Sequence, residues 1–214
     1  MNGEPGAPTE PCATSIDLYW IPLGAGGNGF VRLNGRVYEA GRAFLERRPP
    51  LDLYHSALEV RLRETRYVIE NAWPSPNSDT ASRGVVVEGP VFTRRFAVFR
   101  ALRYEVRCWR DGVIPDVGEA VGGPQRLSEH SSQAERLLGL VSTVPPMTWG
   151  RDELGTGEMW NSNSVISWLL TRSGFVPQRI RPPVGGRAPG WEAGIRAARY
   201  EGDRGTTGHG LRRR

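Results

Sequence analysis

Two short stretches carry the residue types that chemistry uses. One is Asn161-Ser162-Asn163-Ser164, four small polar residues opening an apolar run in which Val165, Ile166, Leu169 and Leu170 recur at the spacing of a buried helical face. Asn and Ser cap helices, and the unpaired N–H groups and dipole at a helix start favour negative charge. A nucleophile or an anion is well placed on such a turn. The other stretch is Leu53-Tyr54-His55-Ser56-Ala57-Leu58-Glu59-Val60. Its histidine has an ordinary pKa suited to taking a proton from a hydroxyl or thiol near neutrality. A serine nucleophile cannot do without that base, because its hydroxyl is a weak acid. On residue types alone, the tetrad reads first as the cap of a core helix.

The rest of the chain bounds what those residues could do. At 214 residues with 38% hydrophobic content the sequence predicts one soluble domain with its own core. No run approaches the roughly 18 apolar residues that span a bilayer. Residues 1–11 contain prolines and acids without an apolar stretch, so a cytoplasmic protein without a targeting peptide is expected. Cys12 and Cys108 suggest no disulfide scaffold, and three histidines without a CxxC argue against metal. All 28 basic residues are arginine, and much of the net charge of +5 sits in the Gly-rich segment 196–214. The nearly neutral body excludes a nucleic-acid binder of the usual basic-patch kind. No cofactor is expected: Gly24-Ala25-Gly26-Gly27-Asn28-Gly29 spells a formal GxGxxG, but Phe30 to Gly35 reads as a short strand into an Asn-Gly turn instead of a helix.

The elements that must position the tetrad and the histidine follow from periodicity. Residues 15–23 alternate as a strand, and residues 37–48 form a helix with Val37, Ala40, Phe44 and Leu45 on its apolar side, stopped by Pro49-Pro50. Residues 53–62 and 66–70 form a hairpin around Arg63-Glu64-Thr65, with Leu58, Val60 and Leu62 on one face and His55, Ala57 and Glu59 on the other. A Val-rich strand follows at 84–88. One or two more lie in 91–109, with Val98, Leu102, Tyr104 and Val106 as core candidates. Ser132-Gln133-Ala134-Glu135 reads as a capping box ahead of a helix that buries Ala134, Leu137, Leu138 and Val141. This order predicts an α+β domain over residues 15–195, between a disordered tail at 1–14 and a flexible Arg/Gly-rich tail at 196–214.

Residues 53–60 with Arg66-Tyr67-Val68-Ile69-Glu70 resemble the histidine-bearing strand pair of the PPPDE family, circularly permuted papain-like peptidases that include deSUMOylating isopeptidases. Trp160-Asn161-Ser162-Asn163-Ser164 with the following apolar run is similar to that family's nucleophile helix, which opens Asn-Cys-Asn-His. Ala188-Pro189-Gly190-Trp191 resembles the segment that follows the helix there, and residues 16–22 the first strand. The matches keep the family's order over residues 15–195, with a longer insertion at 73–158.

The resemblance implies a permuted papain-like fold of the wider NlpC-like superfamily, an antiparallel sheet packed against a nucleophile-bearing helix. It also implies a cleft between His55 and Ser162, roofed by Trp160 and residues 187–191. Ser162 then stands at the cysteine position, with Asn161, Asn163 and Glu70 in support. A serine there cannot supply the resting anion of a thiolate. The leading expectation is therefore a degenerate or atypical relative of thiol hydrolases. The alternatives are an active amide or ester hydrolase using Ser162 with His55 as base, and a non-catalytic peptide- or partner-binding scaffold. The expected partner is a peptide, protein or small amide or ester, with no nucleic acid and no membrane.

Overall fold

Ile16, Leu18 and Trp20 alternate with Asp17, Tyr19 and Ile21, and this stretch forms an extended strand, β1 (Ser15–Pro22). The computed structural model describes residues 14–25, 29–74 and 84–207. After β1 come helix α1 (Gly29–Glu46) and strands β2 (Asp52–Leu62), β3 (Thr65–Ala72), β4 (Val85–Pro90), β5 (Arg103–Arg110) and β6 (Gln125–Ser128). Helices α2 (Ser131–Leu140) and α3 (Ser162–Arg172), the two-residue β7 (Gly186–Arg187) and α4 (Trp191–Thr207) complete the order. The sheet runs β4-β5-β3-β2-β1-β6 with all these neighbours antiparallel, and β7 adds a short parallel pairing at the start of β2. The expected α+β class is observed.

Side chains of successive strand residues point to opposite faces, so the sheet has two apolar surfaces. On one, Leu18, Trp20, Leu58, Val60, Ile69 and Val106 meet the buried residues of α2 and α3. On the other, Ile21, Ala57, Val68 and Ile114 form a smaller cluster. Helix α3 is buried at every position from Ser162 to Leu170. It packs on β2 and β3 and on α4, with Val165, Ile166, Leu169 and Leu170 in the core and the buried Asn163, Ser164 and Ser167 side chains hydrogen-bonded. Gly194 allows the close approach of α4, since a Cβ there would overlap the Ser164 carbonyl oxygen and Ser167 Oγ.

Several local expectations are corrected. The hairpin turn is Arg63-Glu64 alone, because Thr65 already pairs with Leu62 and Arg63 takes the left-handed conformation. Residues 30–35 belong to α1, so Gly29 does open a helix, yet β1 and β2 are antiparallel and no parallel βαβ unit results. Helix α1 turns its expected core face outward: Val37, Phe44 and Leu45 are 64%, 84% and 76% exposed, while Glu39 and Ala43 point in. The Glu39 carboxylate decides this, accepting from Arg48 and from the Leu51 N–H and lying 3.6 Å from Arg187.

Residues 94–98 and 100–102 are 3-10 turns instead of strand, leaving Val98 exposed. Ser132 lies inside α2, whose N-cap is His130, so the expected capping box does not form. Ser128 Oγ takes up part of that role, accepting from the His130 N–H and donating to Gln133. The tail expected from residue 196 is helical to Thr207, with Ala197 and Ala198 in the core. The expectations for residues 1–13, Cys12 among them, and for 208–214 lie outside the described residues.

The α3–α4 contact yields a contrast. Gly194→Ala forces an overlap with backbone and is expected to destabilise by about 1–3 kcal/mol, the usual cost of overpacking. Gly139→Ala, in open space on α2, should be neutral or stabilising by up to about 1 kcal/mol. Thermal unfolding of both variants measures the difference.

Candidate functional site

The turn that opens α3 is held by its own side chains. Asn161 is the N-cap in extended conformation, and its Oδ1 accepts from the Asn163 N–H at 2.9 Å and from the Ser164 N–H. Ser164 Oγ accepts in turn from the Asn161 N–H at 3.0 Å, which closes a capping box with Asn and Ser in place of the usual Ser/Thr and Glu/Gln. The tetrad read from the sequence as a helix start is one.

Its remaining polar atoms reach outward to two other segments. The β2–β3 ladder begins only at Leu58 opposite Ile69 and β7 pairs only Asp52 and Leu53, so residues 54–57 of β2 lack a strand partner on that side. Asn163 fills the place of a strand: Nδ2 donates to the Tyr54 carbonyl at 2.9 Å, and Oδ1 accepts from Ser56 Oγ at 2.8 Å. The second segment is the approach to α4. Pro189 O accepts from both Asn161 Nδ2 and Asn163 Nδ2, Gly190 O from Ser164 Oγ, and Trp191 O from Ser167 Oγ. Gly190 has φ +86, and a Cβ on it would collide with the Asn161 amide.

Arg187 fastens the same segment to the loop before α3 through Glu158 at 3.2 Å, and Glu158 also accepts from the Glu192 N–H. Residues 187–191 therefore lie against the loop before α3 and its first turns. Trp160 has another job: it is 1% exposed, and its indole donates to the Tyr104 hydroxyl in the core beneath.

Ser162 stands apart from its three neighbours. It is 8% exposed, at the positive end of a buried helix, and its hydroxyl makes no hydrogen bond among the described residues. His55 lies one residue from Ser56, whose hydroxyl holds Asn163, so the fold brings its strand against the serine's turn. Its side chain leaves β2 on the face opposite to Ser56, the side of Ala57 and Ile21. Burial pushes its pKa down to about 4, opposed by the negative charge of Asp116. The imidazole is therefore neutral at neutral pH. Among the described residues it is hydrogen-bonded neither to Ser162 nor to any orienting group.

Glu70, expected in support of His55, is bound instead to Arg107 at 3.2 Å, in a buried group with Glu105; burial, opposed by Arg107, raises its pKa. Asp116 is the acid whose charge acts on His55, and it sits in an irregular segment where no sequence pattern marks it. Ser56 was also missed, although its place beside His55 was its signal. One surface depression is bordered by Leu62, Arg63 and Ser131 and another by Arg94, Arg95 and Arg151; both lie away from His55 and Ser162. Groups of His, Cys, Asp and Glu able to hold a metal are absent among the described residues. The Cys108 thiol is pushed up to about 11 by burial, so it is protonated and unreactive.

The sequence matches no family model, and no curated protein and no solved structure matches it.

Two measurements follow. Asn163→Ala strips partners from Ser56 and from the Tyr54 and Pro189 carbonyls, and should lower stability by about 2–4 kcal/mol, read as a fall in Tm. The His55 imidazole should titrate by NMR near pH 4, well below its ordinary 6.5. The unfolded chain then binds the proton more tightly than the folded one, so stability falls as pH drops from about 6.5 toward 4, and His55→Gln should flatten that part of the profile.

Proposed function

We propose that this chain is a degenerate relative of the permuted papain-like thiol hydrolases, keeping the helix-start position with serine in place of the nucleophile. The observation that carries the reading is Ser162. It is the one member of the tetrad not engaged in holding the helix, at the end of α3 where developing negative charge is favoured. The residue is 8% exposed and its oxygen keeps contact with solvent, the access that a site descended from a nucleophile retains. The antiparallel sheet, the helix packed on it and the histidine strand beside the helix start agree with the permuted papain-like arrangement.

Three features favour the degenerate form over an active serine hydrolase. A base with a pKa of about 4 is poorly matched to a serine hydroxyl, since general bases work best near the operating pH. A Ser–His pair also needs a third group to fix the imidazole, and Glu70 is committed to Arg107. Finally, the His55 side chain leaves β2 on the face opposite to Ser56, away from the turn that carries Ser162. On this reading the surface around α3 receives a polypeptide partner without cutting it.

The test is to offer small esters and peptide amides to the parent, Ser162→Ala, Ser162→Cys and His55→Ala proteins, and to titrate the new thiol with iodoacetamide in a Cys12→Ser background. The parent and Ser162→Ala should be equally inert. The Ser162→Cys thiol should react with an apparent pKa below the ordinary ~8.5, lowered by the helix start. Parent hydrolysis abolished in both Ser162→Ala and His55→Ala would replace this reading with an active serine hydrolase.

A further inference from the structure

The depression bordered by Arg94, Arg95 and Arg151, about 350 Å³ in volume, is tied to the candidate site by backbone. The Gly150 N–H donates to the Trp160 carbonyl and the Trp160 N–H to the Arg151 carbonyl, both at 2.9 Å, so Arg151 lies beside the residue that leads into Asn161 and Ser162. On its other side stands the turn after β4, where the Phe92 N–H donates to the Trp149 carbonyl at 3.0 Å. From residue 91 to residue 103 the chain holds four arginines and no carboxylate.

The charges of this surface are unevenly committed. Glu153 accepts from Thr148 Oγ1 at 2.7 Å and pairs with Arg94 at 3.6 Å. Asp152 is spent on its own loop, accepting from the Thr156 and Gly157 N–H groups. Arg95 and Arg151 are exposed and hold no carboxylate among the described residues. Beside them Phe92 is exposed, and Trp73 is half exposed with its ring 5.7 Å from that of Trp149. Two unneutralised guanidinium groups next to exposed aromatic rings form a surface with a chemical preference.

We infer that this surface is a docking subsite for an acidic segment of a polypeptide that carries apolar side chains among its carboxylates. Arg95 and Arg151 take the carboxylates, and Phe92 and Trp73 take the apolar side chains. The carboxylates of Asp152 and Glu153 in the same depression decide against nucleic acid: a uniformly anionic phosphate chain would be repelled at every step, whereas a peptide can place neutral groups there. The inference rests on the proposal that the start of α3 receives a polypeptide, and it names the chemistry of that partner.

The experiment measures anisotropy of a short fluorescein-labelled peptide alternating Glu with Phe, of its twin with Lys for Glu, and of a labelled single-stranded oligonucleotide of equal charge. The Glu peptide should bind at least about tenfold more tightly than its twin, and less tightly as salt rises. Arg95→Glu and Arg151→Glu should each weaken it by about tenfold, while Arg110→Glu at the far end of β5 leaves it unchanged. Circular dichroism melts of these exposed-site variants check that all are folded.

A Glu peptide no tighter than its twin, indifference to both reversals, or tighter binding of the oligonucleotide would each overturn the subsite. A reactive Ser162→Cys thiol alongside ineffective Arg95 and Arg151 reversals would reject the subsite and leave the reading of α3 intact. Arginine-dependent peptide binding with an unreactive thiol would do the reverse.

Discussion

A buried helix end must have its polar groups satisfied, and in this protein that requirement organises everything near the site. Helix α3 is enclosed from its first residue, so the N–H groups and capping side chains of its first turn cannot turn to water. Their partners come from far away in sequence: Tyr54 and Ser56 on one side, and Pro189, Gly190 and Trp191 on the other. Each such bond contributes on the order of 1 kcal/mol when made and costs more if one partner is left alone. The network therefore acts as a constraint on where β2 and the approach to α4 can lie.

The same network explains why Ser162 is singled out. Asn161, Asn163 and Ser164 are fully used in closing the cap and joining the two flanking segments, which leaves one hydroxyl with no structural duty. Position alone does not make it a nucleophile. A serine hydroxyl needs a base of suitable strength, and the apolar surroundings that hold His55 neutral also weaken it as a proton acceptor. A thiol at the same position would depend far less on that base, because the helix start stabilises its anion directly. A hydroxyl at this helix start, unlike a thiol, therefore holds no resting anion.

Charge on the rest of the surface is distributed by burial in a similar way. Arg187, Arg48 and Arg107 are drawn into ion pairs with Glu39, Glu158, Glu70 and Glu105, because carboxylates kept from water need cationic partners. Glu39 is paired on the inward side of α1, while Phe44 and Leu45 of the same helix stand in solvent. Arginines not claimed by a buried acid, Arg95 and Arg151 among them, remain on the surface beside exposed aromatic rings.

What the sequence determined by itself was local. Alternation gave β1, the hairpin and its two faces. The Asn-Ser-Asn-Ser tetrad marked the start of α3, and the apolar stripe of α2 fixed the inward position of Ala134 and Leu137. These features depend on neighbours within a few residues, where periodicity and capping preferences are decisive. The tertiary structure alone decided which face of α1 is inside, that residues 94–102 turn instead of extending, and that Glu70 belongs to Arg107. It alone also made Asp116 the acid acting on His55. Each of those outcomes rests on an ion pair or a burial imposed by a segment distant in the chain. Their energies outweigh local propensity, and they have no signature in the residues next door.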